Sequence, residues 1–209
     1  MKSRGMIFNA EMVRAILDGR KTQTRRIMKN QPAELPSSPV SITRIDTGFQ
    51  WYANDGVSSV FTCPFGQPGD RIWVREAFRV MGCATDVARL MYKASERNSF
   101  TESTRTVPVA SCTKQPSQKW TPSIHMPRWA SRILLEITDV RVERLNSISE
   151  EDARAEGCAG GHDSIPDYHY SATPHEHFRH VWTSIYGEES WSSAWVWVIE
   201  FKRVDGGAA

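Results

Sequence analysis

The chain has 209 residues, 40% hydrophobic and 24% charged, with eight tryptophans and a formal net charge of +2. That length can bury a substantial core in one domain with room for insertions. A charge so near neutral excludes a protein that gathers nucleic acid through its global field and leaves only a local patch for that purpose. No apolar run approaches the roughly 20 residues that span a bilayer, so no membrane association is expected. The four cysteines, Cys63, Cys83, Cys112 and Cys158, form no CxxC pair, which argues against a zinc site or a disulfide framework and for reduced thiols.

MKSRGMIFNAEMV, at the N-terminus, has basic residues without the apolar centre of a signal peptide. The expected location is therefore cytoplasmic. Within it MIFN reads as a short strand. Asn9 is placed to cap a helix over AEMVRAILDG, where Met12, Val13, Ile16 and Leu17 recur at helical spacing and Gly19 suits the position after the last turn. Residues 30–68 are rich in Pro, Ser and Gly and read as loop or hairpin, with FQWYA as one strand. In QPGDRIWVREAF, Pro68-Gly69-Asp70 is a turn and the rest a strand. Residues 95–119 are polar and aperiodic, the pattern of a mobile insertion.

Residues 131–145 alternate as a long strand or a bent pair. A helix follows over SEEDARAEG, capped by Ser149 or Ser147 and stopped at Gly157. Residues 158–174 read as a Gly/His/Pro loop. HEHFRHVWTSIYG puts Phe178, Val181, Trp182 and Ile185 on one helical face and ends at Gly187. AWVWVIEFKRV is a strand with Trp195, Trp197, Ile199 and Phe201 on one side and Val196, Val198, Glu200 and Lys202 on the other. Strands outnumber helices, and no regular βαβ alternation or internal repeat is visible. The expected class is α+β, a small mixed barrel with flanking helices.

The densest chemistry is GRKTQTRR, residues 19–26. Between Arg14 and Lys29 six basic residues face one acidic residue, Asp18. Cations after a helix C-terminus offset its dipole at roughly 0.3–1 kcal/mol each, and one or two suffice for that. Arg20, Lys21, Arg25 and Arg26 together repel one another unless an anion or a carboxylate lies among them. An anion or nucleic-acid contact and a solvated basic face both remain open.

Lys21 and Thr24 are three residues apart. A threonine hydroxyl is a poor nucleophile, but a lysine out of water can take its proton. Glu156 closes the acidic helix at the end where a negative charge is unfavourable, so a cationic partner such as Lys21 would account for it. Glu76, in WVREAF, is a second candidate partner. His177 and His180 are spaced to share a metal, but HEHFRH supplies no third ligand and no HExxH pattern. No metal or cofactor is assigned. Arg128, Trp129 and Arg132 in HMPRWASR combine cations with an aromatic that can stack a base or fill a core.

ILDGRKTQTRR, PGDRIWVRE, DARAEG and the closing WVWVIEF, in that order, resemble the ASCH superfamily, the activating-signal-cointegrator homology domains with a PUA-like β-barrel. The likeness covers about residues 5–29, 66–80 and 121–204. It implies a single domain over residues 1–209, with insertions at about 30–65 and 81–120 like those of the larger members that phages and prophages carry. It also implies a pocket for RNA or a modified nucleoside. The small bacterial members that deacetylate 4-acetylcytidine use a Lys, a Thr three residues on and a Glu in a later helix. The match falls on Lys21, Thr24 and Glu156 as catalytic residues, where many other members have Glu in place of the Thr. From their own chemistry, Arg20, Arg25, Arg26, Arg75, Glu76, Arg128 and Trp129 are the candidate substrate or RNA contacts beside them. The resemblance thus implies an amidohydrolase on an N-acylated cytidine, with a non-catalytic RNA-binding module using the same basic pocket, or a ribonuclease, as alternatives. No obligate protein partner is inferred.

Overall fold

The computed structural model describes residues 1–32, 40–54 and 56–204. In chain order the elements are β1 (Ser3–Ile7), α1 (Ala10–Leu17), β2 (Gln23–Ile27), β3 (Ser41–Ile45), β4 (Gly48–Ala53), β5 (Gly56–Val57), β6 (Arg71–Arg75), β7 (Phe78–Cys83), β8 (Val87–Tyr92), α2 (Phe100–Ser103), β9 (Thr104–Pro108), β10 (Leu134–Arg144), α3 (Glu150–Ala155), α4 (Pro174–Tyr186) and β11 (Trp195–Val204). The class is α+β with strands predominating. The described strands fall into separate sheets, and none closes into a barrel. No described helix is long and apolar enough to cross a membrane.

The chain clusters into two compact units. The first comprises Met1–Lys21, Gly69–Glu136 and, of the described residues, 202–204. Here β1 runs parallel to β6, and the start of β10 pairs antiparallel on the other side of β6. Gly5 faces Trp73 across the β1–β6 pair. A Cβ there would come 2.5 Å from the indole, so the backbone can approach only without a side chain. A second sheet, β7-β8-β9, is an antiparallel meander. Its inner face buries Phe78, Val80, Ala88, Leu90, Tyr92 and Val107 against Met126 and Ala130.

The second unit comprises Thr22–Pro68 and Ile137–Phe201. It holds the remainder of β10, β11 and β2, with β2 antiparallel to β11. It also holds the hairpin β3–β4, extended by β5. Both faces of β11 are covered, and Trp195 through Ile199 are all buried. Phe49 and Phe61 pack edge-on to Trp197. Val196 and Val198 join Leu145, Ile148, Ala153, Phe178 and Trp182 in the cluster that seats α3 and α4.

Local signals hold where they are covalently close. Asn9 accepts the Met12 amide at 2.8 Å, and Ser149 accepts that of Asp152 at 3.0 Å. Thr173 and Glu176 close a reciprocal capping box on α4, each satisfying a free first-turn donor. Residues 131–145 hold one continuous strand, β10. Several expectations are corrected. β1 begins at Ser3, ahead of MIFN. Residues 95–119 are not aperiodic: they contain α2 and β9, and β9 completes the second sheet because β8 offers it a free edge. Ile185 is 45% exposed and off the buried face of α4. The hairpin reading of 30–68 holds, by contrast: β3 and β4 form it, and FQWYA is the body of β4, while residues 33–39 and 55 lie outside the described residues.

Candidate functional site

The GRKTQTRR stretch is built by a helix stop followed by a strand start. After α1, the Gly19 amide donates to the Ile16 carbonyl at 3.1 Å and the Arg20 amide to Ala15 at 2.9 Å. This is the double bond of a Schellman stop, and Gly19 takes the positive φ of +73° that the motif needs. The Lys21 amide also donates to Ala15, at 3.0 Å. The Lys21 backbone is thereby fixed by the helix end. Lys21 is 2% exposed, Thr24 1% and Arg25 2%, so this charged string is largely interior. Arg20 is exposed and pairs with Asp18 at 2.8 Å, Thr22 is exposed too, and Arg26 is half-buried.

Alternation along β2 sends Gln23 and Arg25 to one face and Thr24 and Arg26 to the other. The register against β11 agrees, matching Arg25 with Val198 and Thr24 with Ile199. On the Arg25 face a charged network joins four elements of the second unit. Arg25 Nη2 lies 2.9 Å from Glu143 and 3.0 Å from Asp152, and Nη1 lies 3.3 Å from Glu156. Arg141 pairs with Glu143, Glu200 and, at 3.2 Å, Asp152. The Gln23 amide donates to Asp152 Oδ1 at 3.0 Å and to its backbone carbonyl at 2.9 Å. The Thr22 amide donates to Ala155 at 2.8 Å, lashing the start of β2 to the end of α3. Burial alone would raise the Asp152 carboxyl. The Gln23 bond and the Arg25 and Arg141 charges outweigh it and hold the group below the ordinary carboxylate range.

Glu156, expected to need a cation at the unfavourable end of its helix, has one in Arg25. Arg25, expected as a substrate or RNA contact, has a fully buried guanidinium engaged by carboxylates. Thr24 is on the opposite face of β2 from this network. Arg26, on the Thr24 face, donates to the Tyr186 hydroxyl at 3.3 Å.

In the first unit Glu76 is held by Arg132 in a two-pronged pair, Nε–Oε1 2.9 Å and Nη2–Oε2 3.0 Å. Arg132 lies 4.1 Å over the Tyr92 ring and donates to Ser95 at 2.9 Å. Burial raises the Glu76 carboxyl, and Arg132 works against that rise. Arg75 stacks on Trp73 at 5.4 Å and donates to the Ile124 carbonyl. Arg128 is exposed and donates to Ser3 at 2.5 Å. Trp129 is half-buried, edge-on to Phe78 at 6.1 Å, and so extends the sheet core.

Two histidines of HEHFRH, His175 and His177, have local partners. His177 accepts the Gly160 amide at 3.3 Å, and His175 packs edge-on to Trp191. Among the described residues no group of three or more His, Cys, Asp or Glu side chains converges as a metal cage. Sequence reading missed Gln23, Arg141, Glu143 and Glu200. The one available signal was DVRVER, whose alternation sets Arg141 and Glu143 on one strand face. Compared with known proteins, the chain matches no family model, no curated protein and no solved structure.

Proposed function

We propose that the chain is an ASCH-type, PUA-like protein that hydrolyses the N-acyl amide of an acylated cytidine. The supporting observation is the burial of Lys21, Thr24 and Glu156, at 2%, 1% and 5% exposure. The resemblance marks these three, and a nucleophile and its base withdrawn from bulk water suit an enclosed site.

In the proposed reaction the Thr24 hydroxyl attacks the acyl carbonyl and the Lys21 amine takes its proton. The amide C–N bond breaks, and the departing cytidine amine receives that proton. Water then cleaves the threonine ester, releasing the carboxylic acid and restoring the hydroxyl. Glu156, tied to Arg25, acts as a positioning residue for the helix end and its charge. The experiment is incubation of the purified protein with 4-acetylcytidine and chromatographic detection of cytidine. Cytidine released by wild type supports the reading, and none at micromolar enzyme overturns it for this acyl group.

A second reading, a non-catalytic single-stranded RNA-binding module, is favoured by the outer face of β7-β8-β9. Residues 77–121 hold seven Lys or Arg against three Asp or Glu, although the whole chain is nearly neutral. Arg79 lies 4.9 Å over Trp120 and Arg89 5.1 Å over Phe100, which is 52% exposed. A cation beside an exposed ring, as Arg89 lies beside Phe100, can neutralise a phosphate while the ring stacks a base. Binding of single-stranded RNA that falls steeply with salt and weakens in Arg79→Ala/Arg89→Ala, with no cytidine released by wild type, would favour this reading.

A further inference from the structure

Asp152 touches both chain neighbours of Thr24, one with each carboxylate oxygen. Oδ1 accepts the Gln23 side-chain amide at 3.0 Å, and Oδ2 accepts Arg25 Nη2 at 3.0 Å. The Asp152 backbone carbonyl accepts the same Gln23 amide at 2.9 Å. One residue earlier in β2's approach, the Thr22 amide donates to the Ala155 carbonyl at 2.8 Å. Residues 22, 23 and 25 are thus tied to α3. Thr24, 1% exposed, directs its side chain to the other face of β2.

The anchor is itself fixed. The Asp152 amide donates to Ser149 Oγ at 3.0 Å at the start of α3. Arg141 Nη2 lies 3.2 Å from Asp152 Oδ1 and 3.2 Å from the Gln23 side-chain carbonyl, closing a ring of contacts. Ile148 and Ala153 share a core cluster with Val196 and Val198 of β11. The same β11 pairs with β2 and sets Ile199 opposite Thr24. Gln23 and Arg25 are two positions apart, about 7 Å along a strand. Long side chains are needed to converge on one carboxylate from that spacing.

We infer that Asp152 is a positioning residue for Thr24, an inference that rests on the reading of Thr24 as the nucleophile of an acyl-cytidine hydrolase. An attacking oxygen must be held to a fraction of an ångström, and a misplacement of about 1 Å costs about a hundredfold in rate. The direction in which a strand side chain leaves the backbone is set by the peptide planes on either side of it. With both neighbours bound to one carboxylate, β2 is restrained from sliding along β11 and from rolling about its own axis. Thr24 is β-branched and has few χ1 options, so a fixed backbone largely fixes its hydroxyl. Asp152 therefore acts through Gln23 and Arg25, from the face opposite the reacting group.

The test compares wild type, Asp152→Asn, Gln23→Met and Ile148→Ala in steady-state kinetics on 4-acetylcytidine. Tm and the NMR order parameter of the carbon-13-labelled Thr24 methyl are recorded for each. Asn keeps one acceptor and turns a donor toward the other neighbour, while Glu143 and Glu156 still pair Arg25. Met at position 23 removes the other arm without a change of charge. Ile148→Ala weakens the seat of α3 and leaves both arms in place. In Asp152→Asn and Gln23→Met, kcat should fall about a hundredfold with KM within about twofold of wild type, and the Thr24 methyl should gain mobility. Ile148→Ala should lose Tm and keep both kcat and a rigid methyl. Wild-type kcat in either clamp variant, or an equal loss of kcat in Ile148→Ala, would overturn the inference while leaving the hydrolase reading intact. If wild type releases no cytidine, the hydrolase reading fails and the methyl alone decides the clamp: added mobility in both clamp variants supports it, and wild-type rigidity overturns it.

Discussion

Arg25 lies in a string that reads as a basic surface, yet its charge points inward at Glu143, Asp152 and Glu156. Its partners are 118 to 131 positions away in the chain, so no local pattern could reveal them. The predicted consequence is electrostatic. Arg25→Met leaves carboxylates facing one another and should cost about 3–5 kcal/mol at pH 7 in urea unfolding. Asp152 has a depressed folded value, so its stabilisation is complete above the ordinary aspartate pKa and lost as pH falls through the lower folded one. The deficit of Arg25→Met should therefore shrink at about pH 3, below the ordinary aspartate value, as Asp152 is carried toward its lower folded value. An equal deficit at both pH values would show that lost packing, rather than charge, is responsible. Glu76 has the opposite sign. Its folded value is raised by burial, so what it contributes is lost as pH rises through that value, and at pH 7 it depends on Arg132. Arg132→Met should cost about 3–5 kcal/mol, and adding Glu76→Gln should recover a measurable part of that loss. No recovery in the double variant would mean that Arg132 matters mainly for its contacts with Tyr92 and Ser95.

Helix ends were legible at the scale of elements because a cap is a matter of a few adjacent residues. Asn9 and Gly19 were placed correctly from spacing alone. Asn9→Ala should cost about 1 kcal/mol through the lost Met12 bond. Gly19→Ala should cost about 1 kcal/mol or more through backbone strain, since φ is +73° and no neighbouring atom obstructs a methyl group. Thermal or urea unfolding of the two variants checks both, and an unchanged midpoint in Gly19→Ala would contradict the helix stop drawn here. Strands were less legible. β9 is Thr-rich with one fully buried apolar side chain, Val107, and its existence depends on the edge of β8. For β11 the sequence indicated one apolar face and one mixed face. The structure buries both across Trp195–Ile199, because α3 and α4 cover the valine side. Such covering is set by other elements and has no mark in the strand itself.

For the whole molecule, the mixed α+β class followed from the count of strands and helices, while a closed barrel did not emerge among the described strands. The partition into two compact units is not visible in composition, because each unit draws on distant stretches of the chain. The three residues that the resemblance marks as catalytic, Lys21, Thr24 and Glu156, are buried. Alternation along β2 sets Thr24 and Glu156's partner Arg25 on opposite faces, which makes Thr24 the sharper probe of chemistry. The most direct measurement is cytidine release from 4-acetylcytidine by wild type, Lys21→Met and Thr24→Val, each with its Tm recorded alongside. The account predicts turnover by wild type and, in both variants with the fold retained, a fall of at least about a thousandfold, the scale of losing a nucleophile or its base. Absence of turnover in wild type, or wild-type rates in a folded Thr24→Val, would contradict it.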